Sequence, residues 1–329
     1  MKRALRIFAV LLMTTLAIIS MGCAVKNGTA NPTEGSGRFY RVGISQLIQH
    51  KALDAATQGF KDALTEELGD RVSFDFQNAQ GDPGTCASIA NGFVASKVDL
   101  IMANATAALQ AAAAATADIP ILGTSITEYG VALGIQDFKG TVGGNISGTS
   151  DLAPLDQQAA MFRELFPDLS SIGLLYCSGE PNSLYQVQVI RDLLEADGCK
   201  VALFPFTDSN DLSSVTMTAV SQVEALYLPT DNTVASNAGI IDNICRPARL
   251  PVIAGEKGIC SACGAATLSI DYYDLGFATG EMAARILTGQ AEIGKMPVEY
   301  APRFTKLYNR EICEELGLVM PEEYEAITD

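Results

Sequence analysis

Tryptophan is absent from this chain of 329 residues, and histidine occurs once, at position 50. The first absence disfavours a sugar site built on stacked indoles. The second means that a Ser-His-Asp triad or a histidine-rich metal set would have to be assembled around His50 alone. No G-x-S-x-G, Walker loop or H-E-x-x-H motif is present, so catalysis is not expected, and neither is a metal or a cofactor. Basic residues are scarce: 22 Lys and Arg stand against 38 Asp and Glu, a net charge of −16. Nucleic acid and anionic membrane surfaces are poor partners for such a balance. Long apolar runs are also missing, since the longest, Ile7 to Met21, has about 15 residues where a spanning helix needs roughly 20.

What stands at the N-terminus is an export signal. Lys2, Arg3 and Arg6 precede an apolar core from Ile7 to Ile19, and Ser20-Met21-Gly22 closes it with small residues before Cys23. The pattern resembles a bacterial lipoprotein signal over residues 1–22, with Cys23 as the lipidated residue; an ordinary secretory signal cut nearby is the alternative. Residues 23–38, rich in Gly, Asn, Thr, Ser and Pro, read as a flexible tether. A folded body from Phe39 onward has a two-domain length.

Seven cysteines follow Cys23, and an odd set cannot pair completely within one chain. Cys260 and Cys263 form a C-x-x-C with no second pair or histidine to complete a tetrahedral zinc site. Gly264 to Ile270 reads as a strand rather than the helix a thioredoxin-like motif requires. Free thiols or a local loop disulfide are the expectation, and buried free thiols suit an exported protein in a reducing setting.

Along the body, short β-rich runs alternate with segments of helical period. Val42 to Leu47, Val72 to Phe76, Leu100 to Ala103, Ile119 to Ser125 and Thr141 to Ile146 read as strands, with helices over Leu53 to Leu68, Ala87 to Ala95 and Ala107 to Ala115 between the first four. The pattern restarts with strands at Ile172 to Tyr176, Val201 to Phe206, Ala225 to Leu228 and Val252 to Ala254. An α/β fold follows, with two doubly wound parallel-sheet lobes in tandem. Further elements (a strand at Ala266 to Ile270, a helix at Asp274 to Leu287, a strand at Val298 to Ala301 and a last helix at Thr305 to Leu316) predict that the chain recrosses between lobes. The lobes are expected to comprise 39–146 plus 272–297 and 147–271 plus 298–329, joined by a multi-strand hinge that opens and closes.

Ligands of open parallel sheets bind beyond the carboxyl ends of strands, and the loops there are polar. Asn104 to Ala108, Gly123-Thr124-Ser125, Ser178 to Ser183 and Pro229 to Thr233 offer amides, hydroxyls and carboxylates that suit the two ends of a free amino acid. Taken singly, Thr106, Ser183 and Asn232 are equally well explained as helix caps. His50 reads either as a ligand contact or as an exposed residue before a helix. Tyr129, Tyr176, Tyr185 and Tyr227 are candidates for an aromatic wall.

Arg41 to Ala56 with Gly59-Phe60, Gly148-Thr149-Ser150-Asp151, the Ser178 to Ser183 loop, Tyr227 to Ser236 and Asp271 to Gly276 together resemble the ABC-transporter substrate-binding lipoproteins related to tryptophan and tyrosine binders. Thr127-Glu128-Tyr129 departs from the Thr-Asp-Pro common in that family after the fourth strand. The resemblance implies a type I periplasmic-binding fold with a three-segment hinge. It also implies a monomer outside the cytoplasm, held to the membrane by lipid at Cys23, that delivers an aromatic or other apolar amino acid to an ABC permease. A sensing receptor, or a binder of a nucleoside or sugar, shares these features. Carried over, Gln46 and the loop to His50 border the cleft, Thr106 and Ala107 bind the carboxylate, and Thr124 and Ser125 assist. Ser178, Glu180, Asn182 and Asp231 complete the cage. The ammonium falls to Asp231, with Glu180 and Glu256 as rivals; Glu256 reads equally well as a solvated loop charge.

Overall fold

The computed structural model describes residues 38–328. The signal, Cys23 and the tether as far as residue 37 lie outside the described residues. Among those described, no helix is long and apolar enough to cross a membrane.

The first part of the chain alternates strand and helix: β1 Tyr40–Gln46, α1 Lys51–Leu68, β2 Val72–Asn78, α2 Pro83–Ser96, β3 Leu100–Asn104, α3 Thr106–Ala115, β4 Ile121–Ile126, a short α4 Tyr129–Leu133 and β5 Ile146–Ser150. The alternation restarts with α5 Leu155–Leu165, β6 Ser171–Cys177, α6 Pro181–Ala196, β7 Lys200–Phe206, α7 Ser209–Val220, β8 Ala225–Leu228, α8 Asn232–Cys245, β9 Val252–Ala254, α9 Lys257–Cys263 and β10 Ala266–Ser269. Then come α10 Tyr272–Leu287, β11 Glu299–Tyr300, β12 Thr305–Tyr308, α11 Arg310–Leu316 and β13 Glu325–Ala326.

These strands form two sheets, ordered β11-β5-β4-β3-β1-β2 and β13-β12-β10-β9-β8-β6-β7. The first is parallel throughout, and the second is parallel except where β12 runs against β10. Within each sheet the first five strands follow one winding, the second strand outside the first and the third, fourth and fifth on its other side. Central strands such as β3 and β4 are buried at every residue, as a sheet covered on both faces requires, so each opens on an apolar run and turns polar only at its carboxyl end, with Asn104 in β3 and Thr124-Ser125 in β4.

The chain passes between the sheets three times: through 151–154, through Ile270-Asp271 and through 301–304. Helix α10 follows the second sheet in sequence but packs on α1 of the first lobe. Two glycines permit that contact. A Cβ on Gly276 would lie 1.9 Å from the Ala56 carbonyl oxygen, and one on Gly59 would lie 2.1 Å from that of Tyr273. Asp271 caps α10 by accepting from Tyr273 N and Asp274 N, so Tyr272 is its first residue.

Several elements differ from expectation. The strand expected at Thr141 to Ile146 lies at Ile146–Ser150, so Gly148 to Ser150 still belong to the first sheet. The last helix begins at Arg310; Thr305–Tyr308 is instead a strand paired with β10, because Asn309 caps the helix at that point by accepting from Ile312 N. Strand β11 pairs with β5, so the final crossing follows Tyr300. The C-x-x-C sits in α9, which starts at its cap Glu256. Cys260 and Cys263 face the carbonyls of Gly264 and Ile259, and all seven described cysteines are buried free thiols.

Candidate functional site

The carboxyl ends of the strands in both sheets face one another across the cleft, and each turn there is locked by side chains. In the first lobe, Gln46 donates to Ile48 O (2.9 Å) and Asp54 Oδ1 (2.7 Å) and accepts from Thr57 (2.7 Å). Asn104 donates to Leu53 O (2.8 Å) and Thr57 Oγ1 (3.0 Å). This buried network sets the start of α1 and hence the positions of His50 and Leu53. Thr124 shares a hydrogen bond with Thr149 (3.2 Å), and Thr149 shares one with Thr279 (2.8 Å), tying β4 to β5 and α10.

Strand β4 is bulged between Gly123 and Ile126. Within the bulge Ser125 takes a left-handed conformation, φ 55°, a cost that a non-glycine residue bears only when its surroundings hold it there. The buried Ser125 Oγ has no hydrogen-bond partner.

In the second lobe, Asp231 caps α8 from Oδ1 (Val234 N, 2.8 Å) and binds Cys177 N through Oδ2 (2.7 Å). Glu180 accepts from Asn232 N and Nδ2 (3.0 and 2.7 Å) and from Thr233 N and Oγ1 (2.8 Å each). Asn182 donates to Thr230 O (2.9 Å). Glu256 caps α9 through Gly258 N and Ile259 N. Across the cleft, His50 Nε2 meets Asn232 Oδ1 at 3.2 Å and Lys51 Nζ reaches Ser261 Oγ at 3.4 Å, so the lobes are closed on one another.

Between them lies a cavity walled by His50, Leu53, Ser125 and Thr127 from the first lobe, by Asn182, Thr230, Asp231, Asn232, Ala235 and Glu256 from the second, and by Asp151 and Tyr272 from the crossings. Its volume is about 10 Å³, roughly one water; anything larger enters only when the walls part. A wider groove of about 630 Å³ runs along the hinge past Asp271, Tyr300 and Arg303, but its charged residues are exposed or, for Glu299, half-buried, whereas the inner cavity gathers buried polar groups.

Three of those groups are carboxyls, and no lysine or arginine lines the cavity. Burial pushes Asp151 up to about 6, partly offset by the neighbouring Tyr272 and Thr127 hydroxyls. Burial, and then the nearby Glu180, raise Asp231 despite its two backbone donors. Burial also raises Glu256, with His50 and Lys51 acting in the opposite direction. Asp151 Oδ2 accepts from Tyr272 OH at 2.9 Å, and Asp151 Oδ1 has no partner.

Of the residues named from the sequence, the cavity brings together His50, Ser125, Asn182, Asp231 and Glu256; His50 touches the opposite lobe, and Glu256 is a buried cap rather than a solvated charge. Gln46, Thr106, Ala107, Thr124, Ser178 and Glu180 stand behind it or beside it. Thr106 is buried at the start of α3, and Ser178 donates to Phe206 O. The aromatic wall is Tyr272. Tyr129 is buried against Gly123 O and Thr149 O, and Tyr227 binds Gln158. Tyr176 and Tyr185 do not line the cavity either. Asn232, read from the sequence as either a cap or a site residue, lines the cavity, as do Asp151, Thr127 and Tyr272, which are not among the ligand contacts expected from the sequence although Asp151 and Tyr272 lie in the Gly-Thr-Ser-Asp and Asp-Tyr-Tyr stretches that carry the family resemblance. Glu128 caps α4 through Val131 N, so the departure from Thr-Asp-Pro starts a helix outside the cavity.

Known proteins resemble this chain in sequence and fold. The chain is 33% identical over 326 residues to a protein named tyrosine-binding protein from Clostridioides difficile, covering 97% of this chain and 94% of that one. An ABC domain from Streptococcus pneumonia, solved in complex with L-Trp, is 32% identical with a TM-score of 0.84 over 88% of this chain and 100% of that one. The ligand-free, open structure of CD0873, a substrate binding protein with adhesive properties from Clostridium difficile, is 37% identical with a TM-score of 0.67 over 88% of this chain and 99% of that one. The profile described as ABC transporter substrate binding protein matches residues 41–328. With two wound lobes, three crossings and a cavity between strand ends, the chain belongs to the ABC transporter substrate binding protein family, a family of binders rather than enzymes.

Proposed function

We propose that this protein is an extracytoplasmic lipoprotein that captures an amino acid with an aromatic or other apolar side chain and hands it to the permease of an ABC importer. The observation that carries this reading is the closed interlobe cavity, where buried carboxyls suit an ammonium group and Leu53, Ala235 and Tyr272 supply apolar surface. The relative named for tyrosine and the neighbour holding L-Trp support the ligand class. The protein superposes better on the L-Trp complex than on the open, ligand-free relative, although the latter is closer in sequence. That ranking supports a hinge that closes around ligand.

Cys23 and the tether complete the reading. A lipid at Cys23 would keep a monomeric, mobile binder near its permease and raise its local concentration without a contact of its own. One acyl chain holds only marginally, so more than one is required there.

Thermal-shift measurement of the protein against the amino acids, nucleosides and sugars tests the ligand class. Tyrosine, tryptophan or another apolar amino acid is expected to raise the melting temperature; a response to nucleosides or sugars alone rejects it. The mass of the N-terminal peptide from membranes tests the anchor, with a diacylated or triacylated Cys23 expected.

A further inference from the structure

We propose that Asp151 is the seat of the ligand's ammonium group, with Ser125 beside it. This rests on the amino-acid reading and goes beyond it by choosing among the carboxyls of the cavity. Both oxygens of Asp231 are engaged by backbone N–H groups, at 2.8 and 2.7 Å, and Glu256 holds the first amides of α9. Asp151 alone keeps a buried oxygen, Oδ1, without a partner, and Ser125 Oγ on the same cavity is equally unpartnered. Unsatisfied buried acceptors are costly. An ammonium offers three donors and a positive charge, the complement of a carboxylate with one open oxygen and a nearby hydroxyl.

The position of Asp151 adds a mechanical consequence. It is the first residue of the first crossing and is tied through Tyr272 OH to the start of α10, just beyond the second crossing. Its backbone N donates to Ile126 O at the end of the bulged β4. An ammonium bound there contacts the hinge itself, so ligand occupancy and lobe angle are coupled at one residue.

The groups facing Asp151 come from five elements: Tyr272 at the start of α10, Tyr129 of α4, and Glu256, Asp231 and His50 at the caps of α9, α8 and α1. With acidic neighbours and no lysine or arginine in the walls, the empty site favours a protonated carboxyl, and Asp151 lies near pH 6. An ammonium favours the ionised form, so filling the seat expels the Asp151 proton to solvent wherever the empty site holds it. Affinity therefore falls as pH drops below about 6, by up to roughly tenfold per pH unit, and levels off above.

Calorimetric titration of the full chain with L-tyrosine, L-tryptophan and N-acetyl-L-tryptophan, in buffers of different ionisation enthalpy from pH 5 to 8, tests the assignment. The wild type is expected to bind both amino acids with proton release that grows below about pH 6, and to reject the N-acetyl compound. Asp151→Asn is expected to weaken both roughly 10- to 100-fold. Tyr272→Phe, which removes the donor to Oδ2, is expected to move the proton-release window to higher pH, a change that a merely structural tyrosine would not cause. Binding of both amino acids with no proton release, with Asp151→Asn within roughly twofold of wild type, or with the N-acetyl compound bound as tightly overturns the seat while leaving the amino-acid reading intact. Binding of neither amino acid overturns both. If Asp151→Asn does not fold, the proton count and the N-acetyl comparison on the wild type decide.

Discussion

Tyr272 OH donates to Asp151 Oδ2 at 2.9 Å, joining the first crossing between the lobes to the helix that follows the second. Both residues are buried. Removing the hydroxyl leaves a hinge carboxyl with two open oxygens in place of one. Tyr272→Phe is expected to destabilise the protein by about 1.5–3 kcal/mol, the range for hydrogen bonds to charged groups. Urea denaturation near pH 7 gives the value; a midpoint equal to wild type would show that the bond contributes nothing.

The cavity carboxyls also set a pH dependence. Asp151 rises to about 6 from an ordinary value of 3.8, and burial raises Asp231 and Glu256 as well. Between the unfolded and folded values the native state holds the proton and the unfolded chain does not, so stability is present at low pH and lost as pH rises. Unliganded protein is expected to gain stability as pH falls from 8 to about 5, and Asp151→Asn to flatten the part of that slope between about pH 5 and 6. Denaturant midpoints across this range, compared between wild type and variant, provide the check, and parallel slopes would contradict the assignment.

The α1 and α10 contact tolerates no side chain at its closest point. Gly276→Ala would place a Cβ 1.9 Å from the Ala56 carbonyl oxygen, which is backbone and cannot swing aside. A loss of at least 1–3 kcal/mol, about the usual cost of overpacking, is expected. Gly198→Ala makes a useful contrast, since nothing lies within 4 Å there and only its φ of +83° is strained. Thermal melting of both variants should rank Gly276→Ala as the more damaging.

His50 and Asn232 meet across the cleft at 3.2 Å. Losing that bond is worth about 0.5–1.5 kcal/mol, so His50→Ala should shift the closed-to-open ratio toward open by roughly two- to thirteenfold. Small-angle scattering of the unliganded protein would record a larger radius of gyration than wild type. An unchanged radius would mean that other contacts hold the lobes together.

Burial raises the thiols of Cys245, Cys260, Cys263 and Cys313, Cys245 to about 12 and Cys313 to about 11. Since the thiolate is the reactive form, these four are expected to resist a disulfide reagent such as DTNB in the native protein at pH 8 and to react promptly in guanidinium. Fast native labelling of any of them would contradict their burial.

Much of the architecture was legible from local pattern. Buried parallel strands are rich in apolar residues and the helices between them amphipathic, so the period changes mark each βα unit and their restart marks a second lobe. Where neighbouring segments compete, the pattern misleads. Thr141 to Ile146 has strand composition, but the following Ile146–Ser150 is the segment that reaches β4. Thr305–Tyr308 joins naturally to a helical run, yet Asn309 caps that helix and frees the four residues before it to pair with β10.

The site divides in the same way. The acidic balance, the α/β alternation and the polar strand ends follow from the order of residues, because each depends on composition or on a few neighbours in sequence. Which polar groups face the ligand does not, because capping and ligand contact use the same side chains. Asp231 and Glu180 have the chemistry of an ammonium partner, and folding commits their oxygens to the first amides of α8 and to Cys177 N. Asp151 looks like a linker residue in sequence and becomes a buried carboxyl with one open oxygen only when the bulge at Ser125, the return of α10 and the docking of Gly276 on Ala56 bring three distant segments together. The sequence by itself determined the two lobes and the chemistry of their loops; the tertiary structure decided which acceptors were left without a partner.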